Sequence, residues 1–193
     1  MEEPSDRPLV VRPSLALTVN QTSRDRIMEQ MVENALAVAK EITAGTVDLD
    51  ALVREAKRIQ GNPGMTPENI RAFNLFFRAA MAGHAEAELE VGTCFAFGIG
   101  IECDSEEGFR WFTRAASKRN LNAQFMLGLS HSLGKGVPQD YRNGYAWFRL
   151  ASDGGLKEAT KKAAALASAM SPSDLETAER LYDAIKKRYS AER

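Results

Sequence analysis

The sequence predicts an all-α protein, a right-handed solenoid of stacked antiparallel helix pairs. Sliding the 193-residue chain against itself gives dense matches at one offset, 36 residues, and a fixed offset of this size is typical of repeat architectures. Within each copy, small and apolar residues recur at three- and four-residue steps, the spacing of an α-helix. A pair of glycines separates the two helical stretches, where the chain must reverse.

The two best-preserved copies are residues 84–119 and 120–155. Their identities are Ala87 with Ala123, Gly92 with Gly128, Gly98 with Gly134, Gly100 with Gly136, Asp104 with Asp140, Gly108 with Gly144, Trp111 with Trp147, Phe112 with Phe148 and Ala115 with Ala151. A fainter copy occupies residues 48–83, and a diverged capping unit occupies residues 156–190. The repeat domain is therefore predicted to span residues 46–193.

Each helix has a predicted start or stop. Gly98 and Gly134 are expected to end first helices in a left-handed conformation. Asp104 and Asp140 stand where an N-cap is needed, so their carboxylates can accept from amides of the first turn of the second helix. Thr66-Pro67 and Ser171-Pro172 supply equivalent starts in the outer copies, with proline at the first helical position. Gly92 and Gly128 are expected where neighbouring helices cross closely.

The N-terminus differs from the repeats. Residues 1–21 contain prolines and polar clusters without a helical period and are predicted to be disordered. Residues 22–45 are predicted to form an amphipathic helix, with a capping box at Thr22-x-x-Asp25 and a stop at Gly45. An apolar stripe runs along it through Ile27, Met31, Val38 and Ile42. Such a stripe needs a partner surface, either on this chain or on another protein.

Composition excludes several function classes. The formal net charge is −1 with both signs interspersed, so neither nucleic acid nor an anionic membrane is an expected partner. No apolar stretch approaches the roughly 20 residues that a membrane-spanning helix needs. The two cysteines, Cys94 and Cys103, lack metal-ligand or redox spacing and suit free thiols in a reducing compartment. A cytoplasmic protein that is not inserted in a membrane is therefore expected, and its oligomeric state is left open.

The central copy resembles the Sel-one-like repeats, relatives of the tetratricopeptide repeats. It shows Leu127-Gly128, Gly134-x-Gly136-Val137, Asp140, Trp147 and Ala151 in the family's order. The usual tyrosine is Phe95 in one copy and His131 in the other. The resemblance implies stacked helix pairs and a protein–protein interaction role, as in a bacterial cytosolic adaptor or regulatory scaffold.

Candidate chemistry is weak throughout. The glycine pairs match neither a Walker motif nor a dinucleotide fingerprint, and no cofactor is expected. Ser132-x-x-Lys135 matches the nucleophile motif of serine β-lactamases, but the companion motifs are missing. His84 and His131 lack further metal ligands at helical spacing, so both are interpreted as satisfied packing residues. Trp111 and Trp147 recur at the repeat period, which favours core packing over a nucleic-acid platform. The chain is therefore not predicted to be an enzyme.

The predicted function is partner binding on the concave face, which first helices line in stacked pairs. The candidate groove residues are Arg54, Lys57, Glu86, Glu90, Thr93, Phe97, Asn122, Phe125, Met126, Leu129 and Leu133. This groove would be apolar in the middle and charged toward one end, and it would receive a peptide or an amphipathic helix. Alternatively, Met126 and Leu129 pack against the chain's own terminal helices. A secretion or assembly chaperone for one client is the alternative function, and a β-lactamase-like hydrolase is a weaker third.

Overall fold

The computed structural model describes Glu33 and residues 48–191. The predicted tail 1–21 and, apart from Glu33, the predicted helix in 22–45 lie outside the described residues. Residues 48–191 form eight helices, which we number in chain order: α1 (Leu49–Ile59), α2 (Pro67–Met81), α3 (Ala85–Phe97), α4 (Ser105–Ser117), α5 (Leu121–Leu133), α6 (Tyr141–Asp153), α7 (Lys157–Ala169) and α8 (Pro172–Ala191).

The helices begin at the predicted caps. The Asp104 carboxylate accepts from the Glu107 amide at 3.0 Å, and the Asp140 carboxylate accepts from the Arg142 amide at 2.9 Å. Thr66 caps α2 in the same way. These side chains satisfy amides that have no partner within their own helix, which makes each start well defined.

The glycine pairs reverse the chain and also join neighbouring helix pairs. Gly98 and Gly134 end α3 and α5, each with a φ of 67°. The second glycine of each pair lies against the preceding helix pair. A Cβ on Gly100 would stand 2.1 Å from the Asn69 carbonyl oxygen in α2, and a Cβ on Gly136 would stand 2.0 Å from the Ser105 carbonyl oxygen in α4. No side chain fits in either contact.

The core is built from close helix crossings. Gly92 and Gly128 lie under aromatic rings, because a Cβ at these positions would come within 2.6 Å of Phe112 and 2.5 Å of Phe148. Both rings are almost fully buried. A glycine in the middle of a helix costs about 1 kcal/mol in helix propensity. Both glycines are tolerated because a larger residue would collide with the ring.

Helices pack in chain order. Helices α1–α2, α3–α4 and α5–α6 pack as pairs, and α2–α3, α4–α5 and α6–α7 connect each pair to the next. Among residues 48–191 the only β feature is an isolated bridge between Gly64 and Ile99. The predicted all-α fold of stacked helix pairs is confirmed.

The C-terminal end departs from this pattern. Helices α7 and α8 both pack on α6, and they pack only weakly on each other. At the register of Gly134 and Gly136 this unit has Met170 and Pro172, so the glycine turn is missing. Met170 is extended instead, and α8 begins almost at once. Without the left-handed turn the chain does not fold back on α7.

Candidate protein-interaction face

The predicted groove residues lie on α1, α3 and α5, the first helices of three successive pairs. We call this set the first-helix face. It comprises Arg54 and Lys57 on α1; Glu86, Glu90, Thr93 and Phe97 on α3; and Asn122, Phe125, Met126, Leu129 and Leu133 on α5. The structure places these side chains in quite different environments.

Ion pairs join α1 to α3. The Lys57 ammonium lies 2.5 Å from a Glu86 carboxylate oxygen and 3.1 Å from a Glu90 carboxylate oxygen. Partial burial opposes the charged ammonium, but hydrogen bonds to both carboxylates outweigh it and raise the pKa of Lys57 above its ordinary value. Arg54 does not join this cluster, because its guanidinium contacts Asp48 at 3.2 Å. One lysine thus faces two carboxylates, which leaves the cluster acidic.

The α3 part of the face ends in an exposed ring. Thr93 uses its hydroxyl within the helix, donating to the Leu89 carbonyl at 3.0 Å. Phe97, the last residue of α3, is 51% exposed. About half of the surface of this side chain is therefore open to a partner.

The α5 part is largely built into the core. The Phe125 ring packs at 5.3 Å from the Phe148 ring, and Leu129 contacts the same cluster, which includes residues of α6, α7 and α8. Met126 packs against the preceding cluster around Phe112. These three side chains are half-buried, whereas Leu133, at the end of α5, is 58% exposed. Of these four apolar side chains, only Leu133 is therefore exposed over most of its surface.

The face continues onto α7, which the sequence prediction did not include. The register of Asn122, Met126 and Leu129 recurs 36 residues later as Glu158, Lys162 and Ala165, all exposed. The repeat signature fades beyond residue 155, but this offset still locates them. The apolar part of the face thus lies between acidic side chains on α3 and the oppositely charged Glu158 and Lys162 on α7.

A buried carboxylate near the face is structural. Glu88 is fully buried in α3, 2.8 Å from the Lys118 ammonium and 3.2 Å from the Arg114 guanidinium. Lys118 also donates to the Gly83 carbonyl at 2.7 Å. The carboxylate therefore ties α3 to the end of α4. The sequence prediction missed it, although Gln124 occupies the same register one repeat later and is also buried.

The two histidines differ. The Nδ1 atom of His84 accepts from the Ala87 amide at 3.2 Å, and its Nε2 atom lies 2.9 Å from an Asp50 carboxylate oxygen. For His84 the prediction of a satisfied packing residue is confirmed. For His131 the packing is confirmed, because its ring lies edge-to-face at 5.4 Å from the Phe109 ring, but the hydrogen bonding is not, because its buried Nδ1 atom has no partner among the described residues. Burial lowers the pKa of His131, although the Asp140 carboxylate opposes that shift.

The remaining candidate motifs have local packing roles. The Ser132 hydroxyl donates to the Gly128 carbonyl at 2.7 Å, and a Cβ on Gly144 would meet it at 2.4 Å. Ser132 therefore packs against α6 and bonds within its own helix. Trp111 is buried with its ring 5.7 Å from the Phe77 ring, so it forms no open platform for a nucleic-acid base.

Residues 48–191 contain neither a cluster of metal-ligating side chains nor a membrane-spanning helix. No set of three His, Cys, Asp or Glu side chains in this part of the chain is placed to hold a metal ion. Among the helices of residues 48–191, none is long and apolar enough to cross a membrane.

Comparisons with known proteins agree with the repeat geometry. The family model described as Sel1 repeat matches residues 59–84, 85–120 and 121–156. No curated protein matches the chain. A crystal structure of a protective antigen of uropathogenic Escherichia coli strains, displaying an SLR fold, is similar with a TM-score of 0.68 and 25% identity. That match covers 77% of this chain but 32% of the antigen, so this chain spans about a third of its length.

A second similar structure is the Sel1 repeat protein from Oxalobacter formigenes. It matches with a TM-score of 0.53 and 26% identity, covering 72% of this chain and 97% of that protein. The resemblance to Sel-one-like repeats is therefore confirmed.

Proposed function

Because the chain belongs to the Sel1 repeat family, we propose that it is a protein–protein interaction module that holds a partner's peptide or amphipathic helix on the first-helix face. The module would comprise residues 46–193, with repeat units at 48–83, 84–119 and 120–155 and a capping unit at 156–190. Its role would be that of an adaptor or regulatory scaffold without chemistry of its own.

The observation that carries this proposal is the pair Phe97 and Leu133. They end successive first helices at the same register, and both are more than half exposed. Full burial of such a side chain contributes about 1.5–3 kcal/mol, so covering the exposed half of each contributes about 1 kcal/mol. Two such anchors in a row, beside the half-buried Met126, suit an apolar segment laid across α3 and α5.

Charge would set the direction in which the partner lies. Glu86 and Glu90 outnumber Lys57 at one border of the apolar region, whereas the α7 border carries one charge of each sign, Glu158 and Lys162. A partner helix with a basic residue toward α1 would match this arrangement. Charges at the rim of an interface contribute to orientation and association rate more than to affinity.

We propose the bacterial cytosol as its location. Both similar solved structures come from bacteria. Cys94 is buried and Cys103 is exposed, and both are free thiols, which suits a reducing compartment.

The test uses the two exposed anchors. The double variant Phe97→Asp with Leu133→Asp should abolish co-purification of the partner from the native cell while leaving the helical circular dichroism unchanged. Substituting Met126 and Leu129 would be a poorer test, because both are half-buried against core clusters and their loss would unfold the domain.

Met81→Asp is the matched control. Met81 is 41% exposed but ends α2, a second helix, beside the start of α3 and so at the opposite end of that helix from Phe97. It should retain the partner. Recovery of the same partner by the double variant, or its loss with the Met81 variant alone, would contradict the proposed face.

The same anchors favour one second candidate, a secretion or assembly chaperone that shields an apolar segment of a client. The two functions differ in what happens to the partner when this chain is removed. A client of a chaperone would be degraded or would aggregate, whereas the partner of an adaptor would remain folded at its usual level.

A further inference from the structure

The outer flank of α1 and α2 has apolar residues at the positions that α3 and α4 use to contact the preceding helix pair. Inside the solenoid, Phe95 and Trp111 face the preceding pair, with ring distances of 5.6 Å from Phe95 to Phe73 and 5.7 Å from Trp111 to Phe77. Thirty-six residues earlier, the same register holds Ile59 and Leu75. These two side chains therefore belong to the flank of α1 and α2 that points away from the rest of the solenoid.

This flank is an apolar strip with a charged border. Ile59 and Leu75 are half-buried and pack against the core cluster that includes Phe73 and Phe76. Glu55 lies at the register of the buried Val91, and it pairs with Arg58 at 2.9 Å and Arg71 at 3.7 Å. Two arginines share one carboxylate, so the border carries a net positive charge.

The segment that leads into α1 has the complementary pattern. On a helical projection of residues 22–43 most of the apolar side chains share one broad arc: Ile27, Met28, Met31, Val32, Ala35, Val38, Ala39 and Ile42. The opposite arc carries Glu29, Glu33 and Glu41 with Arg26 and Lys40, so the glutamates outnumber the basic residues. Glu33, the one residue of this segment that the structure describes, is helical and exposed, as its place in the polar arc requires.

The connection restricts where this segment can lie. Asp48 caps α1 through the Ala51 amide at 2.9 Å, so only residues 44–47 separate the end of the predicted helix from the start of α1. Links this short join antiparallel neighbours in helical proteins. A helix of residues 22–43 would be about 33 Å long, which is enough to cover the whole of α1.

We propose that residues 22–43 form a helix that docks antiparallel to α1 on this outer flank and caps the solenoid. Its apolar arc covers Ile59 and Leu75, and its glutamates approach the positive border formed by Arg58 and Arg71. The cap uses a different surface from the first-helix face. That face therefore stays open in the absence of a partner.

The full-length chain tests this with two matched variants. The first, Met31→Asp with Val38→Asp, places charges in the apolar arc, and the control, Glu33→Gln with Lys40→Gln, changes only the polar arc. Hydroxyl-radical footprinting should show at least a threefold rise in modification of Leu75 in the first variant. Modification of Met126 should stay unchanged, and the control should match wild type at both positions.

Three results would overturn the cap. A rise at Met126 and Phe97 without one at Leu75 would mean that the segment plugs the first-helix face. An unchanged footprint together with a halved mass in sedimentation would mean that it binds a second copy. If the double variant does not fold, hydrogen exchange on the wild type decides. Protection of amides 27–42 that is independent of protein concentration supports the cap, and absence of protection refutes it.

Discussion

Replacing Gly136 by alanine tests whether neighbouring helix pairs abut as tightly as the structure indicates. Gly136 has a φ of 73°, and a Cβ there would stand 2.0 Å from the Ser105 carbonyl oxygen and 2.6 Å from its carbonyl carbon. Both atoms belong to the backbone of the first turn of α4, which cannot rotate away as a side chain could. The α4–α5–α6 junction would have to open by more than 1 Å, roughly the shortfall from ordinary contact.

Gly134→Ala is the matched control for the magnitude. Gly134 has nearly the same φ, 67°, but a Cβ there would meet nothing closer than the Gln139 side chain at 3.3 Å. Left-handed alanine costs about 1–2 kcal/mol in either variant, and overpacking adds about 1–3 kcal/mol. We therefore expect Gly136→Ala to lower the free energy of unfolding by about 3 kcal/mol and Gly134→Ala by about 1 kcal/mol.

Urea unfolding followed by far-ultraviolet circular dichroism measures both values. Because the two glycines have the same unfolded-state entropy, the difference of about 2 kcal/mol reports the contact with α4 alone. Gly100→Ala and Gly98→Ala repeat the comparison at the preceding junction, where the Cβ of Gly100 would stand 2.1 Å from the Asn69 carbonyl oxygen. Equal losses within about 0.5 kcal/mol for both members of a pair, the usual scatter of such comparisons, would refute abutting helix pairs.

Three further outcomes follow from buried groups. Burial raises the pKa of Cys94 to about 12, so a thiol reagent at pH 7.5 should label one cysteine rapidly, and Cys103→Ser should remove that reaction. Burial lowers the pKa of His131 from 6.5, so the folded chain binds this proton less readily than the unfolded chain, and stability should fall as pH drops below about 6.5. The melting temperature should therefore drop more between pH 7.5 and 5.5 in wild type than in His131→Phe. Lys118→Met should cost about 2 kcal/mol in urea unfolding by weakening the pairing of the buried Glu88 carboxylate, and adding Glu88→Gln should restore most of that loss.

Each of these has an outcome that contradicts it. Two rapidly labelled thiols would show that Cys94 is accessible. An identical pH response in wild type and His131→Phe would assign the acid loss to other groups. Failure of Glu88→Gln to rescue Lys118→Met would mean that the lysine acts through its bond to the Gly83 carbonyl instead.

Local signals in the sequence were sufficient for the glycine turns and for the starts of the second helices. Gly134 ends α5 and Asp140 starts α6, and each role depends only on the neighbouring backbone. Such roles can be deduced from residue type and spacing alone. The close crossing at Gly128 was also predictable, because a glycine that recurs in the middle of a helix loses helix propensity and is retained where a neighbouring helix needs the space.

The open C-terminal unit was harder to foresee, because it depends on what is missing. The composition of α7 and α8 fits a capping hairpin, and only alignment at the 36-residue offset reveals that the glycine turn is absent. The helix against which α8 packs is then decided by tertiary contacts. Tyr182 and Lys186 contact the Asp153 carboxylate at the end of α6, and these polar contacts between distant segments leave no period in the sequence.

The interaction face shows why periodicity predicts position better than exposure. Met126 and Leu133 satisfy the same helical spacing, yet Met126 is half-buried against the preceding pair and Leu133 is mostly exposed. Met126 is covered because it packs on the cluster around Phe112 of the preceding pair, whereas Leu133 lies outside the core clusters. The exposed apolar positions of the first-helix face therefore occur where α3 and α5 end. Since Phe97 occupies the corresponding end of α3, a partner gains most by crossing near the glycine turns.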